Sequence, residues 1–268
     1  MIVDMHVHLF RQTRYEHHLA RAAREVGIGK MALMGGPEQY DYASNDQVLA
    51  AAQRHPDLFI PFAYFRLGRD YPGVIDQFRD RGFHGVEFML PQKDYDDKEF
   101  YMVYARAGQL GMPALFQLGL VPNSGRDHVL NVCCGRMRPI CLDTIARAFP
   151  ELAIIGTRLG NPWFEEACEV ARCNTNVYLD LSGTVLKQKS PEFLGGLLWW
   201  DATGGSYDRA PRTVRPWKKI LFGSDVRYRR LGDALGDYTR LMQALDFDEG
   251  TRQDILAMNA IRALGLDY

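Results

Sequence analysis

The first ten residues, MIVDMHVHLF (1–10), place a carboxylate and two imidazoles inside an otherwise apolar run. On an extended strand alternate residues share a face, so Asp4, His6 and His8 point one way and Val3, Met5 and Val7 the other. The apolar set is expected to face a layer of helices. The polar set then lies inside the sheet, where it is costly without partners. Two imidazoles two residues apart on a strand can grip one metal ion; a hydrogen-bonded pair of core histidines is the plainer alternative. Three polar groups in ten residues are not what a secretory leader is expected to carry.

Working outward, short apolar runs alternate with longer amphipathic stretches to the end of the chain. Strand-length runs begin at Ile2, Lys30, Leu58, His84, Pro113, Leu152, Val177 and Lys219. Helical spacing follows over 15–26, 44–54, 73–81, 98–110, 139–149, 162–172 and 231–245. Parallel strands need a crossover to return to the same edge, so strictly alternating strands and helices imply a parallel sheet. Eight such units in 268 residues fit one (β/α)8 TIM barrel spanning 1–268. The apolar face of 249–264 (Ile255, Met258, Ile261, Leu264) predicts an extra C-terminal helix packed on the barrel. Two connections are long, 118–138 and 184–217. If they follow strands, they belong to the catalytic rim or are surface elaboration. The weakest unit is 186–217, rich in Gly, Trp and Arg.

Composition narrows the class. Hydrophobic residues make up 47%, enough for a large core, and the formal net charge is -1, without the basic excess of a nucleic-acid binder. No apolar run is long enough to span a bilayer. The five cysteines, Cys133, Cys134, Cys141, Cys168 and Cys173, are odd in number and contain no Cys-x-x-Cys pair. They read as reduced thiols of a cytoplasmic protein. Cys133 and Cys134 would share a soft metal only in a bent loop.

The last strand is KILFGSD (219–225). Leu221, Gly223 and Asp225 share a face, which places Asp225 inward at the strand's C-terminal end. Barrel closure makes the first and last strands neighbours, so Asp225 should lie beside His8. There it could bind a metal and accept a proton from water. The alternative is a turn aspartate, common after strands.

DMHVH (4–8), GFHGVEFMLP (82–91), RPICLDTIARAFPELAIIGTRLGNPW (138–163), ILFGSD (220–225) and ILAMNAIRALGL (255–266) together resemble the amidohydrolase-related family (amidohydrolase 2). This branch of the amidohydrolase superfamily contains carboxymuconate-semialdehyde and resorcylate decarboxylases and pyrone dicarboxylate lactonases. The resemblance runs in order over nearly the whole chain. It implies a (β/α)8 barrel with one divalent metal ion, often zinc, at the strand ends. His6 and His8 match the family's paired ligands and Asp225 its last-strand aspartate. Where the family usually carries histidines on strands five and six, this chain has Gln117 and Arg158.

Three protein ligands with an open position are the minimum for catalytic zinc, and His6, His8 and Asp225 supply it. Gln117 offers a neutral oxygen. Glu87 points inward by parity, since Val86 and Phe88 should face the helices; it either replaces the missing imidazole or pairs with Arg158. An oxygen-rich set moves preference toward manganese or magnesium. Arg158, joined by Arg66 at the end of strand three, would suit an anionic substrate, or either arginine pairs with a core carboxylate. A metal-free site using such arginines is a further variant. His128, in the loop after strand five, and Asp180, at the end of strand seven, are further substrate-binding candidates; Asp180 could instead orient an arginine.

The residues favour a hydrolase of a C–O or C–N bond in a small polar or carboxylate-bearing molecule, with Asp225 as base. A non-oxidative decarboxylase, with Phe65, Phe116 and Tyr64 as rim aromatics, is the second possibility. An inactive ligand-binding barrel is the third. The expected partner is a small-molecule substrate, without nucleic acid or membrane, in a chain that could pair as a homodimer.

Overall fold

In the computed structural model, residues 1–199 and 215–266 are described. Eight parallel strands lie side by side in chain order. They are β1 (Ile2–His8), β2 (Ile28–Met34), β3 (Phe59–Phe65), β4 (Gly85–Phe88), β5 (Ala114–Phe116), β6 (Ile154–Gly156), β7 (Val177–Asp180) and β8 (Ile220–Leu221). Met5 donates its N–H to the Phe222 carbonyl at 2.9 Å, and Asp225 to the His6 carbonyl at 2.8 Å. The last unit thus returns to the first, and the sheet is a (β/α)8 barrel.

Each segment with helical spacing contains a helix. The main ones are α1 (Tyr15–Glu25), α2 (Asn45–Arg54), α3 (Val74–Arg81) and α4 (Tyr101–Gln109). The long 118–138 connection carries a one-turn helix, α5 (Asp127–Leu130), and α6 (Ile140–Ala148) and α7 (Phe164–Cys173) follow it. After β7 come two short helices, α8 (Val185–Gln188) and α9 (Pro191–Leu197), and after β8 comes α10 (Leu231–Ala244). The middle of the 184–217 connection, 200–214, lies outside the described residues. Each helix buries one stripe; in α1 it is Tyr15, Leu19, Ala20 and Ala23. α2 starts at a capping box, with Gln47 N–H donating to Ser44 Oγ and Ser44 N–H to Gln47 Oε1. No described helix is long and apolar enough to cross a membrane.

Burial separates the two faces of the sheet. Val86, Phe88, Ala114, Phe116, Ile154 and Ile220 pack with the helices. Ile60, Phe62, Leu115, Ile155 and Leu221 form an inner floor. Val3 and Met5 belong to this floor, so of the three apolar residues expected to face the helices only Val7 does. The cause is a register shift: Asp4 pairs with Met31 and Val7 with Leu33, three steps on β1 against two on β2. The extra residue is a bulge, and a bulge reverses which way the later side chains point.

The expected C-terminal helix covers the floor as one rod over 249–264, with a π turn at Asp254–Met258. Ala260, Ile261 and Leu264 pack into the floor cluster, and His84, just before β4, lies with Nε2 2.7 Å from the Leu264 carbonyl. The rod also takes the place of direct pairing between lower β8 and β1. Its Ile255 carbonyl accepts the Phe222 N–H at 2.9 Å, and the Asn259 amide donates to the Ile220 and Trp217 carbonyls at 2.6 and 2.8 Å. The N-terminal mouth is thereby closed, and polar inward residues are left at the C-terminal end.

Candidate metal centre

The β1 bulge is held by Asp4, whose Oδ1 accepts the N–H of His6 at 3.2 Å and of Ser224 at 2.9 Å. This one carboxylate stitches the strand carrying both histidines to the segment leading to Asp225. Above the bulge the two imidazoles converge, with Nε2 atoms 3.3 Å apart. The opposite nitrogens fix the tautomers. His8 Nδ1 is 2.8 Å from the Gly35 carbonyl, which can only accept, so it carries the proton. His6 Nδ1 lies 3.1 Å from both Asp180 Oδ2 and Ser182 Oγ, and the carboxylate requires a donor there too. Both Nε2 atoms therefore face one point, and a shared proton or a metal ion between them would relieve the opposition of their lone pairs. A carboxylate behind each metal-binding imidazole, or a carbonyl, is the usual outer support of such sites.

Two carboxylates face the same point. Glu87 Oε1 is 3.7 Å from His8 Nε2, and Asp225 Oδ1 is 3.8 Å from His6 Nε2 and 3.9 Å from His8 Nε2. Donors around an ion bound at about 2.1 Å are roughly 3.4 Å apart. His6, His8 and Glu87 form a group close enough to share an ion. Among the described residues neither Glu87 oxygen has a hydrogen-bond partner although both are buried, and the same is true of Gln117 Oε1. Buried acceptors without donors are rare, and a cation beside the two imidazoles would satisfy Glu87. The donor set fits a divalent metal.

Without an ion, the site's charges settle otherwise. Burial pushes Glu87 up to about 8. Burial opposes charge on His6, but Asp225 and Asp180 outweigh it and raise His6 to about 9. Burial and then the charge of His6 bring His8 down to about 4. Burial works against ionised Asp225 as well, yet Arg158 and His6 hold it down to about 2. The metal-free pair of imidazoles thus shares a single proton. A divalent ion would displace it and favour ionised Glu87.

Arg158 completes the site. It sits after β6 with a left-handed backbone, φ 56°, and its N–H donates to Asp180 Oδ1 at 2.7 Å. Its Nε and Nη2 donate to Asp225 Oδ2 at 2.8 and 2.6 Å. The expected alternative of a Glu87–Arg158 pair does not form, because Asp225 takes both nitrogens and leaves its other oxygen toward the imidazoles. Asp180 therefore serves three groups, the His6 ring and the backbone N–H groups of Arg158 and Ser182. Gly223 makes room for it: a Cβ there would lie 2.9 Å from Asp180 Oδ2.

A two-lobed cavity opens over these groups. One lobe, about 150 Å³, is lined by Tyr40, Tyr42, Met89, Gln117, Val121 and Arg158. The other, about 240 Å³, is lined by His8, Phe10, Tyr42, Arg158, Asp225 and Arg227. Val121 comes from the long connection after β5. Tyr42 divides the lobes and stacks on His8, ring centroids 4.3 Å apart. Its ring passes over Gly36, where a Cβ would meet it at 2.5 Å.

His6, His8, Glu87, Gln117, Asp180, Arg158 and Asp225 are thus brought together. Arg66 does not join Arg158: it is buried behind the loop 36–42, its guanidinium on the Leu90 and Leu130 carbonyls. His128 is exposed on α5 and lines neither lobe. The expected rim aromatics also change. Phe65 and Phe116 point to the helices, and the aromatics at the cavity are Tyr40, Tyr42 and Phe10. Tyr42, Ser182 and Arg227 were missed from sequence, since all three lie in loops where no periodicity reports direction.

The profile described as "Amidohydrolase" matches residues 3–266. No curated protein matches the chain. Among solved structures, an uncharacterised TIM-barrel protein of Bordetella bronchiseptica is 20% identical, with a TM-score of 0.70 over 98% of each chain. A probable 2-pyrone-4,6-dicarboxylic acid hydrolase of Acinetobacter baumannii is 14% identical, with a TM-score of 0.64 over 99% of each. A dihydroxybenzoic acid decarboxylase of Polaromonas, solved with bound manganese, is 14% identical, with a TM-score of 0.63 over 99% of this chain and 97% of the other. At these identities the likenesses show a shared fold.

Proposed function

The chain belongs to the amidohydrolase family, and from that premise we propose that it is a divalent-metal-dependent hydrolase of a small, carboxylate-bearing molecule. The observation that carries this is the convergence of His6 Nε2, His8 Nε2, Glu87 and Asp225 Oδ1, with buried acceptor atoms that have no donor. His6, His8 and Glu87 would hold the ion, with Asp225 Oδ1 and Gln117 alongside; the two nitrogens suit zinc, and the oxygens admit manganese. When bound, such an ion supplies Lewis-acid activation of water and of the scissile carbonyl.

The chain's own residues do the rest. Arg158 fixes one oxygen of Asp225 and keeps the carboxylate ionised, so the free Oδ1 can accept a proton. Arg227, at the mouth of the second lobe, and the cavity edge of Arg158 offer cations to a substrate carboxylate. Tyr42 covers His8 and excludes water from one side. A second reading, non-oxidative decarboxylation, draws on the lobe of Tyr40, Tyr42 and Met89, which suits a planar unsaturated acid. It is the weaker one, because the position after β6 carries Arg158, a fixed cation that does not deliver protons.

A panel of small lactones, amides and unsaturated carboxylates tests this. Hydrolysis should be lost on chelation and fall about a hundredfold or more in Asp225→Asn. Full turnover in that variant, or in chelated enzyme, would sink the proposal. Carbon dioxide release without hydrolysis would move it to the second reading.

A further inference from the structure

The rim holds another cavity, of about 340 Å³, between the loops after β2 and β3. It is distinct from the lobes above: residues 36–39 line this one, while Tyr40 and Tyr42 of the same loop line the others. Arg66, Arg69 and Tyr64 line it, with the carboxylates of Asp70 and Glu38. Arg66 is only 4% exposed. Its Nε donates to the Leu90 carbonyl at 3.1 Å and its Nη2 to the Leu130 carbonyl, which leaves Nη1 without a partner among the described residues. Among those residues neither Arg66 nor Arg69 is in an ion pair.

The carboxylates nearby are already engaged. Asp70 accepts the Arg66 backbone N–H at 2.6 Å, closing the turn after β3. Glu38 is drawn away by Arg11, 3.1 Å distant. Setting the Arg11–Glu38 pair aside, two guanidinium groups face one carboxylate, and one positive charge is uncompensated. Carbonyl dipoles solvate a buried cation but do not neutralise it, and a desolvated charge without a counterion is costly. Guanidinium groups bind oxyanions through two parallel N–H donors, and Tyr64 lines the same cavity.

We propose that this cavity is a second ligand site for a compact oxyanion, a carboxylate or phosphate group held by Arg66 and Arg69 beside Tyr64. It does not depend on the metal reading. An occupant would stand behind the loop that carries Tyr40 and Tyr42 into the main cavity.

The test is a titration of the full-length protein, as purified, with sodium acetate and separately with inorganic phosphate, following the arginine side-chain nitrogen resonances. Sodium chloride at matched ionic strength is the control. Arg66 and Arg69 should shift saturably with one or both oxyanions in roughly the millimolar range, and the tighter anion identifies the ligand's headgroup. Arg69→Ala, an exposed change that leaves the Arg66 strut in place, should weaken binding about tenfold. No saturable shift, an equal shift with chloride, an affinity unchanged by Arg69→Ala, or a response at Arg158 alone would each overturn the proposal.

Discussion

Glu87 is fully buried with two unpartnered oxygens, so without a metal its charged form is penalised. Its folded value of about 8 lies above the ordinary 4.5. The stability linked to its proton is complete below the lower value and lost as pH rises through the upper one. His6, raised from 6.5 to about 9, acts in the same direction; His8, lowered to about 4, opposes only between about 4 and 6.5. Metal-free protein should therefore become less stable as pH climbs from 6.5 to 9. Glu87→Gln should then be the more stable form in chelator at high pH, by an amount on the order of a few kcal/mol that shrinks toward pH 5. Thermal unfolding across pH measures this; a loss of stability at every pH would mean that Glu87 has a structural partner instead. The direction of Glu87 was legible because Val86 and Phe88 flank it. The partner of Arg158 was not, since Arg158 leaves the strand with a left-handed backbone that alternation does not describe.

Among the elements, β1 and the C-terminal rod depart most from a regular pattern, and together they make the site. Strict alternation put Val3 and Met5 with the helices; the bulge between Asp4 and Val7 lets Val3 and Met5 face the floor while His6 and His8 also reach the centre. Nothing in DMHVH announces that bulge, because Asp4's two N–H partners, at His6 and Ser224, become neighbours only after closure. β8 is assigned only two residues, since the rod occupies its lower edge. Asn259 is the joint, fully buried and donating to two carbonyls. Asn259→Leu would leave both unpaired and should cost about 2–3 kcal/mol. A lowered unfolding midpoint in denaturant, with unchanged slope, is the expected result. A neutral effect would mean that water or repacking closes the barrel as well as the amide does.

For the whole molecule, alternating runs were enough to read a barrel, because eight strand–helix units leave a parallel sheet little other way to close. The site joins the two ends of the chain, β1 with the segment after β8, at a separation of 217 positions from His8 to Asp225. That juxtaposition follows from closure and was legible in advance; the cavity walls, drawn from loops, were not. The central claim is that this junction holds one divalent ion. Metal content of wild type, His6→Ala and Glu87→Gln, each purified with zinc and manganese supplied, tests it most directly. About one ion per wild-type chain, and almost none in either folded variant, is the predicted result. Wild type that stays metal-free, or variants that load as wild type does, would contradict it.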